Sequence, residues 1–357
     1  MLVLAMDAFG GRGGIAAVTR DVVQAMSAST KIERVHILPR RAPDELGKIP
    51  KRVCQSKPKL GRISYSVRGL VTAIQLQPSI IYCNHLYMAP LAAILSKIFR
   101  ARLIIHLHGI EIWEQPTRAR RKALEAADLL LCVSRDTRAK ALNLADVHPE
   151  RAVVLNNTVG REFTPGNRAA AREKFALTDE LVLVTVGRLA SSERYKGHER
   201  VIMALPKVIQ GHRKLIYVIA GEGDDRSRLE GLATNAGVQE HVRFIGHLNP
   251  KDLPDFYRAA DIFVMPSSGE GFGIVFLEAM ASGTQVVGLA YGGAADLIGY
   301  EEFGQAPPDM SFERALVRAI SRPAPDPIVL SNAVLSRFGQ DNFIARAKAL
   351  LETPFPA

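Results

Sequence analysis

A chain of 357 residues is longer than one hydrophobic core ordinarily organises, so two domains are expected. Its 47% hydrophobic and 23% charged content excludes intrinsic disorder, and three cysteines without C-x-x-C spacing (Cys54, Cys83, Cys132) argue against a disulfide framework or cysteine-held zinc and for a reducing compartment. The net charge of +10 is one-sided: residues 1–165 hold 25 Lys and Arg against 13 Asp and Glu, while residues 166–357 hold 21 against 23.

The chain opens on an apolar run, Met1–Met6, that reads as a strand. It has no basic leader and is too short for a signal peptide or a membrane span, so a cytoplasmic location is expected. A glycine-rich loop follows at Gly10–Gly14, then helical periodicity over Ile15–Met26. Strand-like runs recur at Val35–Leu38, Ile80–Cys83, Leu103–Leu107, Leu129–Val133 and Ala152–Leu155, with helical segments between most of them. A Pro/Gly break at Phe163–Asn167 restarts the alternation. Strands are then expected at Leu181–Val186, Lys214–Ala220, Val242–Ile245, Ala260–Pro266 and Gln285–Leu289, and helices at His198–Ile209, Asp225–Ala236 and Leu253–Ala259. This predicts an α/β protein of two Rossmann-like, doubly wound domains with parallel sheets, and a ligand cleft between them at the carboxyl ends of the strands. The tail Asn342–Leu351 is amphipathic.

The most informative stretch is Ser268–Gly283, SGEGFGIVFLEAMASG. A strand delivers a glycine-rich turn to a helix that opens at Gly273, with Phe276, Leu277, Met280 and Ala281 at helical spacing. Unpaired amides and the positive end of the dipole make such a start a phosphate site, and Gly271 and Gly273 leave room for the anion. Glu270 and Glu278 flank it, and a carboxylate suits a vicinal diol. Hydroxyls on both sides of a phosphate describe a nucleotide sugar.

The turn Gly11–Ala16 fits G-x-G-x-x-A, the dinucleotide fingerprint, but the second strand ends in Pro39, Arg40 and Arg41 where a ribose-binding acid belongs, which removes the best support for a dehydrogenase. His106 and His108 share one face of a strand, yet no third ligand completes a metal set. The basic run Arg40–Arg68 and the cluster Arg118–Lys122 suit an anionic surface or acceptor, whereas sparse aromatic interleaving argues against nucleic acid.

The Glu270–Glu278 stretch resembles the E-x7-E pattern of retaining glycosyltransferases of the GT-B fold (family 4-like, group 1). The resemblance implies that Glu270 holds hydroxyls of the donor sugar, Glu278 holds the ribose, and the backbone at Gly271, Phe272, Gly273, Ile274 and Val275 lines the donor. Thr185–Ile202 is similar to the family's G-R…K-G segment, which implies that Arg188 and Lys196 neutralise the leaving diphosphate in place of a metal, with Arg194 left on the surface. It further implies that Gly13 and Gly14 approach the donor phosphates, that Gly221, Ile245 and Gly246 lie near the nucleotide, that His108 approaches the donor sugar, and that Glu111 touches the acceptor or positions its loop. The expected domains are residues 1–162, completed by about 337–357, for the acceptor, and residues 163–336 for the donor.

No cofactor is expected beyond the nucleoside-diphosphate sugar (UDP- or GDP-linked), which is itself a substrate. The acceptor is expected to be a saccharide or a lipid-linked sugar of a cell-surface polysaccharide, reached at an anionic membrane surface. A nucleotide-sugar epimerase of the same fold and a non-catalytic nucleotide-sugar-binding protein are the alternatives. After Ile298 the sequence lacks the family's apolar glycine-rich hairpin, which leaves the domain edge there undefined.

Overall fold

The computed structural model describes residues 1–11, 13–212, 214–298 and 311–352, so most of the stretch after Ile298 lies outside the described residues. The chain divides into two units, Met1–Thr158 with Gln340–Ala357, and Val159–Gly339.

In the first unit seven parallel strands, β1 (Leu2–Ala5), β2 (Val35–Pro39), β3 (Val53–Gln55), β4 (Ile80–Cys83), β5 (Arg102–Leu107), β6 (Leu129–Cys132) and β7 (Ala152–Val154), stand in the order β3-β2-β1-β4-β5-β6-β7. They alternate with helices α1 (Gly14–Ala28), α2 (Arg62–Leu76), α3 (Ala89–Phe99), α4 (Arg118–Glu125) and α5 (Arg135–Leu144). Strands β1 (LVLA) and β6 (LLLC) are buried at every position, as expected when helices cover both faces of a sheet. The edge strand β3 is an addition to the expected set: three residues inside a basic run carry too little periodicity to be read as a strand, and pairing with β2 creates it.

The second unit repeats the plan with β8 (Leu181–Val186), β9 (Leu215–Ala220), β10 (Val242–Gly246), β11 (Ile262–Met265) and β12 (Gln285–Gly288) in the order β10-β9-β8-β11-β12. Its helices are α6 (Arg168–Lys174), α7 (His198–Val208), α8 (Arg226–Asn235), α9 (Leu253–Ala259), α10 (Ile274–Ala281), α11 (Ala295–Ile298), α12 (Phe312–Ser321) and α13 (Pro327–Phe338). The expected strands and helices stand within two residues of their expected ends, while α6, α11, α12 and α13 are helices that the sequence pattern does not predict. In α13 the reason is visible: Ile328 and Val329 are exposed beside buried Leu330 and Val334, which blurs the one-sided pattern. In both sheets the winding reverses beside the first strand, between β1 and β4 and between β8 and β11, and the carboxyl ends at such a reversal leave a crevice for ligand. No helix among the described residues is long and apolar enough to cross a membrane.

Helix α14 (Gln340–Glu352) belongs to the first unit and packs on α1, burying Phe343, Ala347 and Leu351. The Arg102 guanidinium donates to the Leu351 carbonyl (3.0 Å) and the Lys31 ammonium to that of Glu352 (3.1 Å), so basic side chains satisfy the helix's last carbonyls. The sequence predicts this crossing from about Arg337, but α13 runs on to Phe338 and the change of unit falls at Gly339. Replacing Phe343 by Ala is expected to destabilise the first unit by about 3–5 kcal/mol, read as a lower urea midpoint of its unfolding transition.

Candidate functional site

The second unit's site is built where β8 and β11 pair side by side. Beyond β8 the chain passes Gly187 and Arg188 and makes a 3-10 turn, Ser191–Lys196, before α7. Beyond β11 it makes the turn that carries Glu270. The two loops are tied together by backbone: the Ser268 amide donates to the Tyr195 carbonyl at 2.8 Å. Gly197 permits the docking, because its φ is +80° and a Cβ there would stand 2.5 Å from the Pro266 carbonyl oxygen.

Within this docked pair Glu193 is the centre of charge. It is 7% exposed, no motif in the sequence singles it out, and its carboxylate pairs with Lys196 at 2.8 Å through one oxygen and with Arg188 through the other. The cations differ in freedom: the Lys196 side chain is 15% exposed and the Arg188 side chain 73%. Lys196 is therefore held, while Arg188 is free to reorient toward an incoming anion. His198 opens α7 with a buried imidazole whose pKa is pushed down to about 4, by burial first and by Lys196 second, so it adds no charge near pH 7. Arg194 is half exposed, as expected of a surface residue, but it also pairs with the buried Asp225 carboxylate at 3.0 Å. Asp225 belongs to the GEGDD turn after β9, which clamps the Arg188 segment by two bonds: the Leu189 amide donates to the Glu222 carbonyl and the Asp225 amide to the Leu189 carbonyl, both at 2.8 Å.

The turn before α10 is pinned from its other side. The Gly293 amide donates to the Glu270 carbonyl (2.8 Å), and a Cβ on Gly293 would lie 1.8 Å from the Gly271 carbonyl oxygen, so only glycine admits this approach. Burial pushes the Glu270 carboxyl up to about 7, against the attraction of Lys196 and a hydrogen bond from Ser267, while Glu193 adds to the rise. Glu270, Lys196 and Glu193 thus share one electrostatic environment. Gly273 caps α10, Phe272 is buried against Phe338, and Ile274 and Val275 lie in the helix's first turn, where amides have no intrahelical acceptor. Glu278, one turn on, accepts a 2.7 Å hydrogen bond from the Tyr257 hydroxyl and is also raised to about 7, by burial first, with Tyr257 opposing and Glu162 adding. Tyr257, on α9, is a site residue that nothing in its local sequence marked. Gly221 donates its amide to the Gly246 carbonyl (2.8 Å), so these two backbone groups are committed to each other, and Ile245 stands beside them at the end of β10.

In the first unit, β5 delivers two adjacent imidazoles with ring centroids 4.7 Å apart. His106 Nδ1 bonds the Tyr82 hydroxyl and His108 Nε2 the Asn84 carbonyl, each at 2.7 Å. Burial lowers both pKa values, so both rings are neutral near pH 7. Donation to a carbonyl places the His108 proton on Nε2 and leaves Nδ1 an acceptor. Glu111 Oε1 accepts from the His108 amide (3.0 Å), so this carboxylate positions the loop. Gly13 and Gly14 are exposed at the start of α1, and the preceding turn is fastened by Arg20, whose guanidinium donates to the carbonyls of Ala8 (3.0 Å) and Gly11 (3.1 Å). Among the described residues no group of three or more His, Cys, Asp or Glu is placed to hold a metal ion.

Residues 12–163 match the family model described as Glycosyltransferase Family 4, and residues 167–325 the model described as Glycosyl transferases group 1. A D-inositol 3-phosphate glycosyltransferase of Saccharomonospora viridis is 34% identical over 59% of this chain and 51% of that protein. A GDP-mannose-dependent monoacylated alpha-(1-6)-phosphatidylinositol monomannoside mannosyltransferase of Corynebacterium glutamicum is 32% identical over 59% of this chain and 58% of that protein. The matched part of the chain thus spans little more than half the length of these curated relatives. Among solved structures, Anabaena Alr3699/HepE in complex with UDP (22% identical) and a sucrose-phosphate synthase from Thermosynechococcus elongatus (21%) both superpose with a TM-score of 0.77. Each covers 98% of this chain, and 99% and 98% of the respective neighbour, which establishes the GT-B fold.

Two predictions follow from the site's electrostatics. A carboxyl whose folded pKa is raised favours the fold while protonated, so its contribution is present below the ordinary carboxyl pKa and is lost as pH rises toward about 7. Glu278→Gln, which keeps an acceptor for Tyr257, is expected to raise the thermal midpoint at pH 8 and leave it nearly unchanged at pH 4.5, as measured by calorimetry. Glu193→Gln frees Arg188 and Lys196 from their shared anion and is expected to tighten inorganic pyrophosphate binding by about 3- to 10-fold in isothermal titration at fixed salt.

Proposed function

We propose that this chain, built of a Glycosyltransferase Family 4 domain and a group 1 glycosyl transferase domain, moves a sugar from a UDP- or GDP-linked donor to a saccharide or lipid-linked acceptor, with retention of configuration and without a metal. The observation that carries this reading is the convergence of Arg188, Lys196, Glu193 and Glu270 beyond the adjacent strands β8 and β11. A site with two cations and a glycine-rich helix start takes a diphosphate; a carboxylate beside it takes sugar hydroxyls.

In this reading the bond between the sugar's anomeric carbon and the phosphate oxygen breaks while the acceptor oxygen bonds that carbon on the same face. The acceptor's proton passes to the departing phosphate oxygen, so no side chain serves as general base. Lys196, already held, and Arg188, released from Glu193, stabilise the growing negative charge. Glu270 orients the sugar, Glu278 the ribose, and the backbone of Gly271, Phe272, Gly273, Ile274 and Val275 faces the phosphates. Neutral His108 offers Nδ1 to a sugar hydroxyl. Gly221, Ile245 and Gly246 border the nucleotide. The relatives named for inositol 3-phosphate and phosphatidylinositol mannoside support a polyol acceptor carrying an anionic phosphate, bound by the basic first unit at a membrane surface, in the making of a cell-surface glycan.

The test is release of nucleoside diphosphate from a panel of nucleotide sugars, with and without polyol phosphate or lipid-linked acceptors. Acceptor-dependent release supports transfer; isomerised donor without release would instead mark an epimerase, and binding without turnover a sensor. Lys196→Ala is expected to lower kcat by about 100- to 1,000-fold with its circular dichroism unchanged, and unaltered turnover would remove Lys196 from the mechanism. Because sugar hydroxyls bond the ionised carboxylates best, donor affinity is expected to rise through about pH 7 in calorimetric titrations, and Glu270→Gln is expected to flatten that rise.

A further inference from the structure

Asn84 follows β4 and is wholly buried where the winding of the first sheet reverses, between β1 and β4. Each of its polar groups has a partner. Its amide donates to the Leu4 carbonyl (3.0 Å), Oδ1 accepts from the Met6 amide (2.9 Å), Nδ2 donates to the Thr19 hydroxyl (2.6 Å), and its carbonyl accepts from His108 Nε2 (2.7 Å). Chemistry fixes which way the carboxamide faces. The Met6 N–H can only donate, so Oδ1 meets it, and Thr19 gives its own proton to the Ile15 carbonyl (2.7 Å), so its oxygen is left to accept. One residue therefore joins the end of β1, the first turns of α1 and the imidazole just beyond β5.

This junction holds more than packing requires. A buried carboxamide is tolerated only when it is paired, and the Met6 amide needs nothing beyond one acceptor. The further bond to Thr19, itself wholly buried, sets the tilt of the carboxamide and with it the backbone of Asn84, whose carbonyl takes the His108 ring proton. The groups that face this ring are His106 on β5, with ring centroids 4.7 Å apart, His85 beyond β4, at 6.5 Å, and Glu111 on the loop that follows. Burial lowers both neighbouring imidazoles, so they are neutral near pH 7, and the Glu111 carboxylate acts in the opposite sense on His108.

We propose that Asn84 is a positioning residue that acts through His108: its side chain is anchored on β1 and α1, and its carbonyl thereby holds the imidazole as the Nε2-protonated tautomer, with Nδ1 left to accept a hydroxyl proton. Its bearing on transfer rests on the reading of His108 as a contact to the donor sugar, but the tautomer is observed without any substrate.

The test is proton–nitrogen correlation spectroscopy of the full chain with labelled histidine, where protonated and bare ring nitrogens are distinct and His108 is assigned by the signals lost in His108→Gln. In the unsubstituted chain a single His108 tautomer, protonated on Nε2, is expected across about pH 6 to 8. Thr19→Val keeps the shape and does not alter His108 directly, yet it is expected to bring in the second tautomer and to lower kcat by about 3- to 10-fold. Asn84→Asp keeps the bond to Met6 but adds an acid to the residue that holds the imidazole, which favours the imidazolium. The His108 pKa is expected to rise by about one pH unit or more, with kcat/KM reduced about tenfold near pH 7 and recovering as pH rises and the neutral ring returns. Where one variant does not fold, the other carries the test. His108 signals that match the unsubstituted chain in the folded variants would overturn the proposal. An altered ring with unaltered turnover would uphold the role of Asn84 and overturn that of His108, so the two readings fail separately.

Discussion

A carboxylate held almost entirely out of water must be neutralised, and in this protein Glu193 meets that demand with two cations, Arg188 and Lys196. Desolvating a carboxylate costs several kcal/mol unless partners compensate, so the loop from Arg188 to Lys196 is shaped by the need to bring both cations to one acid. The resulting site is charged and balanced before any ligand arrives. In the proposed reading an incoming diphosphate competes with Glu193 for the exposed Arg188, while Lys196 stays within the wall. Glu270 reports the same balance: burial raises its pKa despite the neighbouring ammonium, so desolvation outweighs attraction there.

That balance depends on loops that hold their places. The Lys196 turn is docked on the Glu270 turn through the Tyr195 carbonyl and the Ser268 amide, and the Glu270 turn is docked in its turn on Gly293. These contacts are backbone to backbone and close enough that a single Cβ at Gly197 or Gly293 would break them. Loops fixed in this way give side chains a defined origin at the ends of a rigid sheet, which is what a site for electrostatic stabilisation requires. The first unit follows the same logic with neutral groups: Tyr82 and Asn84 fix the two histidines, and Glu111 holds the loop that follows them.

The first unit also carries the chain's surplus positive charge, and α2 gives that charge a structural setting. Its inner face completes the core over β1, as the Tyr65 bond to Leu38 and the packing of Gly69 attest, while its outer face is left apolar and exposed. Composition alone located the positive field; an unpaid-for apolar stripe became evident only when burial divided the helix into two sides.

The sequence by itself determined the repeated strand and helix alternation, the parallel sheets and the glycine-rich turn before α10, because burial on both faces and helix starts leave local traces in residue type and spacing. It also carried Arg188, Lys196, Glu270 and Glu278 as candidates through one motif resemblance. Tertiary structure alone decided that Glu193 joins the two cations, that Tyr257 orients Glu278 from a different helix, that Arg20 fastens the first glycine turn, and that β3 exists at all. Tyr257 with Glu278 and β2 with β3 are pairings between separate segments, while Glu193 and Arg20 fasten irregular loops that carry no period, and the free energy of such contacts leaves no mark in residue spacing.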